Sequence, residues 1–276
     1  MTNPQHEKET HGEPTGPAPL SNAESCAPST EADIGCRAGP SVDAAPEQMQ
    51  IPPRPWGLAA VAAAMLVALA GLGLGLVFLR MAVVEENVES ALVFNVSLAI
   101  IVLLMLTAAW IFGPAMHGGG IRSLGLRSYQ TSSLTSFVLP SAVLVAVLVF
   151  NVLYVAVVNQ LGLDILKPQE LPFNNYSPLA LAVTGVMVVL AGPFAEEVFF
   201  RGFVLSGLVR RWGPAVGLIV SAAIFSIAHA SVALLIPIFV AGALLGWLYL
   251  RTDSLWSCVW VHGAQNGVAF TAALTL

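Results

Sequence analysis

Seven apolar runs of about 17 residues or more follow one another from Trp56 onward, and a run of that length is read as a helix that crosses a bilayer. They fall near residues 56–79, 92–112, 134–158, 179–209, 214–232, 234–250 and 254–276. The pattern predicts an all-α fold, a polytopic transmembrane helix bundle of about seven spans, within a range of six to eight. The fifth and sixth runs are nearly fused, parted only by the turn region at His229 and by Pro237. The first run, about 24 residues long, exceeds the roughly 7 to 15 apolar residues of a signal-peptide core and is expected to stay as a span. Ahead of it, residues 1–50 hold almost no large apolar side chains and many Pro, Gly, Ser, Ala and Glu. Such a segment cannot bury enough surface to offset its ordering entropy, so a disordered acidic tail is expected there. Residues 51–276 are the expected transmembrane domain.

Composition agrees with the pattern: 57% of residues are hydrophobic, 10% are charged, and mean hydropathy is +0.80, outside the soluble globular class. The formal charge of -5 belongs to the tail, which sets eight acidic residues against Lys8 and Arg37 and leaves the rest close to neutral. This acidity names no partner, and nucleic acid is not expected. The bilayer is. Lys and Arg collect in cytoplasmic loops. An inside N-terminus puts Arg54, Arg122, Arg127, Arg210, Arg211 and Arg251 on the inner side and only Arg80 and Lys167 outside, beside the acidic loop of Glu85, Glu86 and Glu89. The expected location is therefore a multi-pass integral membrane protein of a bacterial cell membrane, with its N-terminus cytoplasmic. Trp56, Trp212 and Trp256 lie near span ends and are expected at the interfaces. Cys26, Cys36 and Cys258 have no metal or disulfide spacing.

Against this background a few polar residues stand out. Glu196 and Glu197 are adjacent in the fourth run, where two ionised carboxylates would cost about 5–7 kcal/mol at mid-membrane. Arg201 lies in the same run, His229 in the fifth, and His262, Gln265 and Asn266 in the seventh, with Asn95 and Asn151 as milder cases. At 1.5 Å per residue, Glu197, His229, His262 and Asn266 lie about 21, 22, 12 and 18 Å from the inner ends of their helices. Convergence on one interior cavity is the economical arrangement. Glu197 and Arg201 are four residues apart and can pair, whereas Glu196 and Arg201 are five apart and cannot do so easily. The same four-residue spacing joins Phe225 to His229 and His262 to Asn266. Glu196 is thus left free for general-base work beside His229, and His262 and Asn266 can donate hydrogen bonds to an oxyanion.

In this order, Glu196-Glu197-x-x-x-Arg201, Phe225-x-x-x-His229 and His262-x-x-x-Asn266 resemble the motifs of the CPBP family of intramembrane endopeptidases. That family includes the type II CAAX prenyl protease and the Abi proteins of bacteriocin self-immunity. The likeness covers about residues 179–270, and the catalytic core is placed at about 179–276. It implies a peptidase acting on a membrane-associated peptide or protein, with Glu196 and His229 activating water and His262 and Asn266 holding the oxyanion. Glu197, Arg201 and Phe225 would support the site. The segment SLGLRSYQ is similar to a short basic loop that often precedes this family's core.

Glu196, His229 and His262 also make a Glu plus two His set, a known combination for a divalent metal such as zinc. The same residues work without one, and asparagine is a poor zinc ligand but a natural oxyanion donor, which favours the metal-independent reading. A transporter or proton relay could use the same buried Glu and His groups, although no internal repeat supports it. A non-catalytic immunity or scaffold protein is the third reading. The chain has no H-E-x-x-H, no intramembrane Asp pair and no G-x-S-x-G.

Overall fold

The computed structural model describes residues 55–84, 90–127, 133–167 and 176–275. The acidic tail, Arg54, Cys26, Cys36 and the loop of Glu85, Glu86 and Glu89 lie outside the described residues. Those that are described form helices and short turns, with no strand among them. Helix α1 is Leu58–Val84, α2 is Ser90–Trp110 and runs on through a wider π turn at Ile111–Ala115, and α3 is Ser133–Leu161. The next helical stretch, Pro178–Ala228, is continuous along the chain. Gly213 divides it, with φ 78° and ψ 170°. Glycine takes that conformation without a side-chain clash, and Pro214 suits the first position of the following helix. The two rods are α4, residues 178–212, and α5, residues 214–228. Helices α6, Leu235–Thr252, and α7, Leu255–Thr275, complete the bundle.

Among the described residues, four stretches are long and apolar enough to cross a membrane: Ala91–Ala115, Ser136–Leu161, Pro178–Ala228 and Leu235–Thr252, with Leu58–Leu74 a shorter apolar one. Helix α7 has 21 residues, but His262, Gln265 and Asn266 dilute its apolar character. The fifth span was expected over 214–232, yet α5 ends at Ala228. At about 22 Å it falls short of the roughly 30 Å hydrocarbon core. His229 is consequently the residue that caps its C-terminal end.

The centre of the molecule is the segment Glu197–Leu205 of α4, in which every residue is buried. Phe199, Phe200, Phe203 and Leu205 pack there with Trp56, Leu248, Tyr249 and Leu255 from α6, α7 and the approach to α1. Large apolar side chains also cover the outside, among them Leu74, Leu153 and Leu179. A surface that meets lipid needs this, and the buried polar residues accordingly face inward.

One end of the bundle is stitched together by polar contacts. Trp56 Nε1 donates to Phe203 O at 3.0 Å, and Arg210 donates to the carbonyls of Pro55 and Trp56. Trp56 is therefore wholly buried and is not an interfacial belt residue, because its indole N–H finds a partner inside; Trp212 and Trp256 are exposed as expected. After α2, a 3-10 turn at Ile121–Leu124 leads to Gly125, whose carbonyl accepts from Leu255 N at 2.9 Å. Arg127 pairs with Asp253, and Ser254 Oγ donates to Arg127 O at 2.7 Å. The start of α1, the ends of α2, α4 and α6, and the start of α7 thus share one face.

Candidate active site

Helix α4 carries two stretches of π helix, Met187–Ala191 and Glu197–Leu205; Glu196 ends the α-helical turn between them and Glu197 opens the second. Widened turns of this kind re-aim side chains and recur at functional sites. Arg201 Nη1 donates to Glu197 Oε1 at 2.9 Å, and both residues are almost fully buried. The guanidinium also donates to Gly242 O of α6 at 3.3 Å and lies 4.2 Å from the centre of the Phe225 ring on α5. Three helices therefore meet at one arginine. A buried arginine with a carboxylate, a carbonyl and an aromatic face has its charge and several of its donors satisfied.

His262, from α7, is enclosed by both glutamates. Its Nδ1 lies 2.8 Å from Glu197 Oε1, and its Nε2 lies 3.7 Å from Glu196 Oε2. Glu197 Oε1 is shared by Arg201 and His262, so this carboxylate does more than neutralise the arginine. As an ionised acceptor paired with Arg201, it requires a proton on Nδ1 of His262. The nitrogen turned toward Glu196 is then Nε2. Glu196 itself is partly exposed, and its Oε2 is a buried atom without a hydrogen-bond partner.

His229 stands apart from the carboxylates. Its Nδ1 is 2.8 Å from Phe225 O in the last turn of α5, and its side chain is exposed. A carbonyl accepts only, so Nδ1 carries a proton, and in the neutral imidazole Nε2 then keeps its lone pair. Among the described residues no hydrogen bond or ion pair joins His229 to Glu196; Phe225 is what links it to the site. The Phe225 ring lies 4.8 Å from the ring of His229 and 6.0 Å from that of His262, both edge to face. Directly after His229, Ala230 has φ 49°, a conformation that costs a non-glycine residue about 1–3 kcal/mol and persists only where its surroundings hold it.

Asn266 is one turn beyond His262 on α7, and its Nδ2 donates to Val188 O at 3.0 Å. Val188 belongs to the π turn Met187–Ala191. Helix α7 can approach that turn because position 263 is glycine: a Cβ there would lie 2.7 Å from Val189 O. The amide has two N–H donors, so one remains. The carbonyls of Val188 and Gly242 are partners that no reading of side chains could supply. Gln265 Oε1 and the Oδ1 atoms of Asn95 and Asn151 are buried without partners, while Asn95 Nδ2 donates to Thr184 Oγ1 and ties α2 to α4.

Two ligands of a tetrahedral zinc ion lie roughly 3.3 Å apart, from metal–ligand distances of about 2.0–2.1 Å. Glu196 and His262 come near that spacing, but His229 does not complete a third position. Among the described residues no three His, Cys, Asp or Glu side chains form a metal-holding group. The described residues do not assemble the metal set in this arrangement.

Residues 178–268 match the family model described as Type II CAAX prenyl endopeptidase Rce1-like. They form an Rce1-like domain. It takes in α4, α5, α6 and most of α7, and includes Glu196, Glu197, Arg201, Phe225, His229, His262 and Asn266. Helices α1, α2 and α3 lie outside it. The matched family is one of proteases, and it supports a CAAX-type membrane protease in general terms, in line with the CPBP resemblance of the motifs. The comparison with curated proteins gave no match, and the comparison with solved structures gave none.

Proposed function

We propose that this protein is an intramembrane endopeptidase that hydrolyses a peptide bond in a membrane-associated substrate. The observation that carries the reading is Glu196 Oε2, a buried carboxylate oxygen with no hydrogen-bond partner, 3.7 Å from the Nε2 of a histidine that a second carboxylate orients. An acceptor of that kind is disposed to take a proton from a water lying against both groups. His229, with its Nε2 lone pair, is the second acceptor for that water once substrate is bound.

In the proposed reaction Glu196 removes a proton from water as the oxygen attacks the carbonyl carbon of the peptide. A C–O bond forms, and the carbonyl oxygen becomes an oxyanion. The remaining N–H of Asn266 donates to it. His262 can donate through Nε2 only as the imidazolium, because Nδ1–H is engaged by Glu197. The C–N bond then breaks, and Glu196 returns its proton to the leaving amine nitrogen. Arg201 and Phe225 hold Glu197 and the two histidines in place. We assign the face bearing Arg122, Arg127, Arg210, Arg211 and Arg251 to the cytoplasm, by the distribution of basic residues.

The test is cleavage of membrane-embedded peptides by the full chain in liposomes. Glu196→Gln should lower kcat by at least about 100-fold, within the range of a lost general base. Full activity in that variant would overturn the mechanism. Loss of activity on chelation, restored by zinc, would add a metal that this arrangement of side chains does not assemble.

A further inference from the structure

We infer that Tyr154 of α3 is a positioning residue for His229, holding the turn that carries it from outside the Rce1-like domain. This inference rests on the proposed peptidase reading. Besides its own backbone hydrogen bonds, three side-chain hydrogen bonds among the described residues hold the turn from His229 to Leu234. His229 Nδ1 bonds back to Phe225 O within the end of α5, and Ser226 Oγ donates to Leu235 O at 2.5 Å, joining the ends of α5 and α6 that flank the turn. The third comes from another helix: Tyr154 OH donates to Ala233 O at 2.9 Å. Ala233 is buried although its neighbours Val232 and Leu235 are exposed, so the turn is pinned at that residue.

The turn needs an external hold. His229 lies at the end of a helix too short to cross a bilayer, its side chain is exposed, and the following Ala230 is in the left-handed region. Among the described residues no hydrogen bond or ion pair ties the imidazole to Glu196 or Glu197; Phe225 orients the ring, and the backbone of this turn helps to set where its Nε2 points. Tyr154 itself is steadied by Phe150, stacked on it at 6.4 Å one helical turn earlier. A hydroxyl 75 residues away in the sequence thereby limits how far His229 can move from the carboxylates on α4.

Tyr154→Phe removes the hydroxyl and keeps the ring. In the full chain, amide hydrogen exchange over residues 229–234 should rise about fivefold, as for the loss of one hydrogen bond, while residues 255–266 stay as in wild type. On a peptide that wild type cleaves, kcat should fall about fivefold with KM within twofold and a melting temperature lowered by no more than about 4 °C. Phe150→Ala is the control for packing of α3: it should lower the melting temperature further than Tyr154→Phe does, with a smaller effect on kcat. Unchanged exchange over 229–234 in Tyr154→Phe overturns the inference whether or not the protein cleaves peptides. So does a kcat loss in Phe150→Ala as large as that in Tyr154→Phe. A wild type whose cleavage ignores Glu196→Gln overturns the peptidase mechanism instead, and the exchange result still decides the role of Tyr154.

Discussion

Glu196 and Glu197 are chemically identical neighbours that the surroundings make unlike. Each has a buried Oε2 without a hydrogen-bond partner, but Glu197 is fully buried with its Oε1 shared by Arg201 and His262, whereas Glu196 is partly exposed and has only the 3.7 Å approach of His262 Nε2. Their variants should separate accordingly. Arg201→Met leaves a buried carboxylate without its cation and is expected to destabilise the protein by about 3–5 kcal/mol, read as a fall in the thermal midpoint in detergent. Adding Glu197→Gln to Arg201→Met should recover part of that loss, since the stranded charge is gone. Glu196→Gln should leave the midpoint nearly unchanged while abolishing cleavage. A large fall in the midpoint for Glu196→Gln would assign it a structural role instead.

Among elements, the decisive contact is α7 against the π turn of α4. The spacing of His262 and Asn266 puts them on one face of a helix, but close approach depends on Gly263, where a Cβ would meet a backbone oxygen at 2.7 Å. Backbone cannot rotate aside as a side chain can. Gly263→Ala should push α7 outward, break the Asn266 contact to Val188 O and reduce cleavage at least tenfold, with a stability loss of about 1–3 kcal/mol. Gly267→Ala is the matched control, because its Cβ would meet Val189 Cγ1 at 3.6 Å, an ordinary contact. Equal effects of the two on cleavage would contradict this account. The same logic applies to Gly202, whose Cβ would lie 2.4 Å from Leu124 O and would lift the 3-10 turn off α4.

For the whole molecule, the link between Arg127 and Asp253 and the hold of Arg210 on Pro55 bring the basic helix ends to one face. The site residues lie about 12–22 Å from that face by helical rise, around the middle of a hydrocarbon core of about 30 Å. With the three native cysteines replaced by serine, Arg122→Cys and Arg211→Cys should react with a membrane-impermeant thiol reagent from the same side of sealed vesicles. Lys167→Cys, after α3, should react from the opposite side. Labelling of all three from one side would mean that the assignment of spans is wrong.

The sequence by itself determined that this is a helical membrane protein, because lipid leaves a hydrophobic run of such length one way to satisfy its backbone. It also singled out polar residues that are costly in an apolar run, and two of their four-residue spacings are contacts in the fold: Glu197 with Arg201, and Phe225 with His229. What lay beyond it depends on groups that every residue has and on distances between separate helices. Trp56 reads as an interfacial residue until Phe203 O takes its N–H, and Asn266 reads as a free donor until Val188 O takes one of its two. The pairing of His262 with both glutamates, the early end of α5 and the reach of Tyr154 to Ala233 were decided only by tertiary structure. Backbone carbonyls carry no signature in the sequence, and a π turn or a close helix crossing chooses which of them faces a partner.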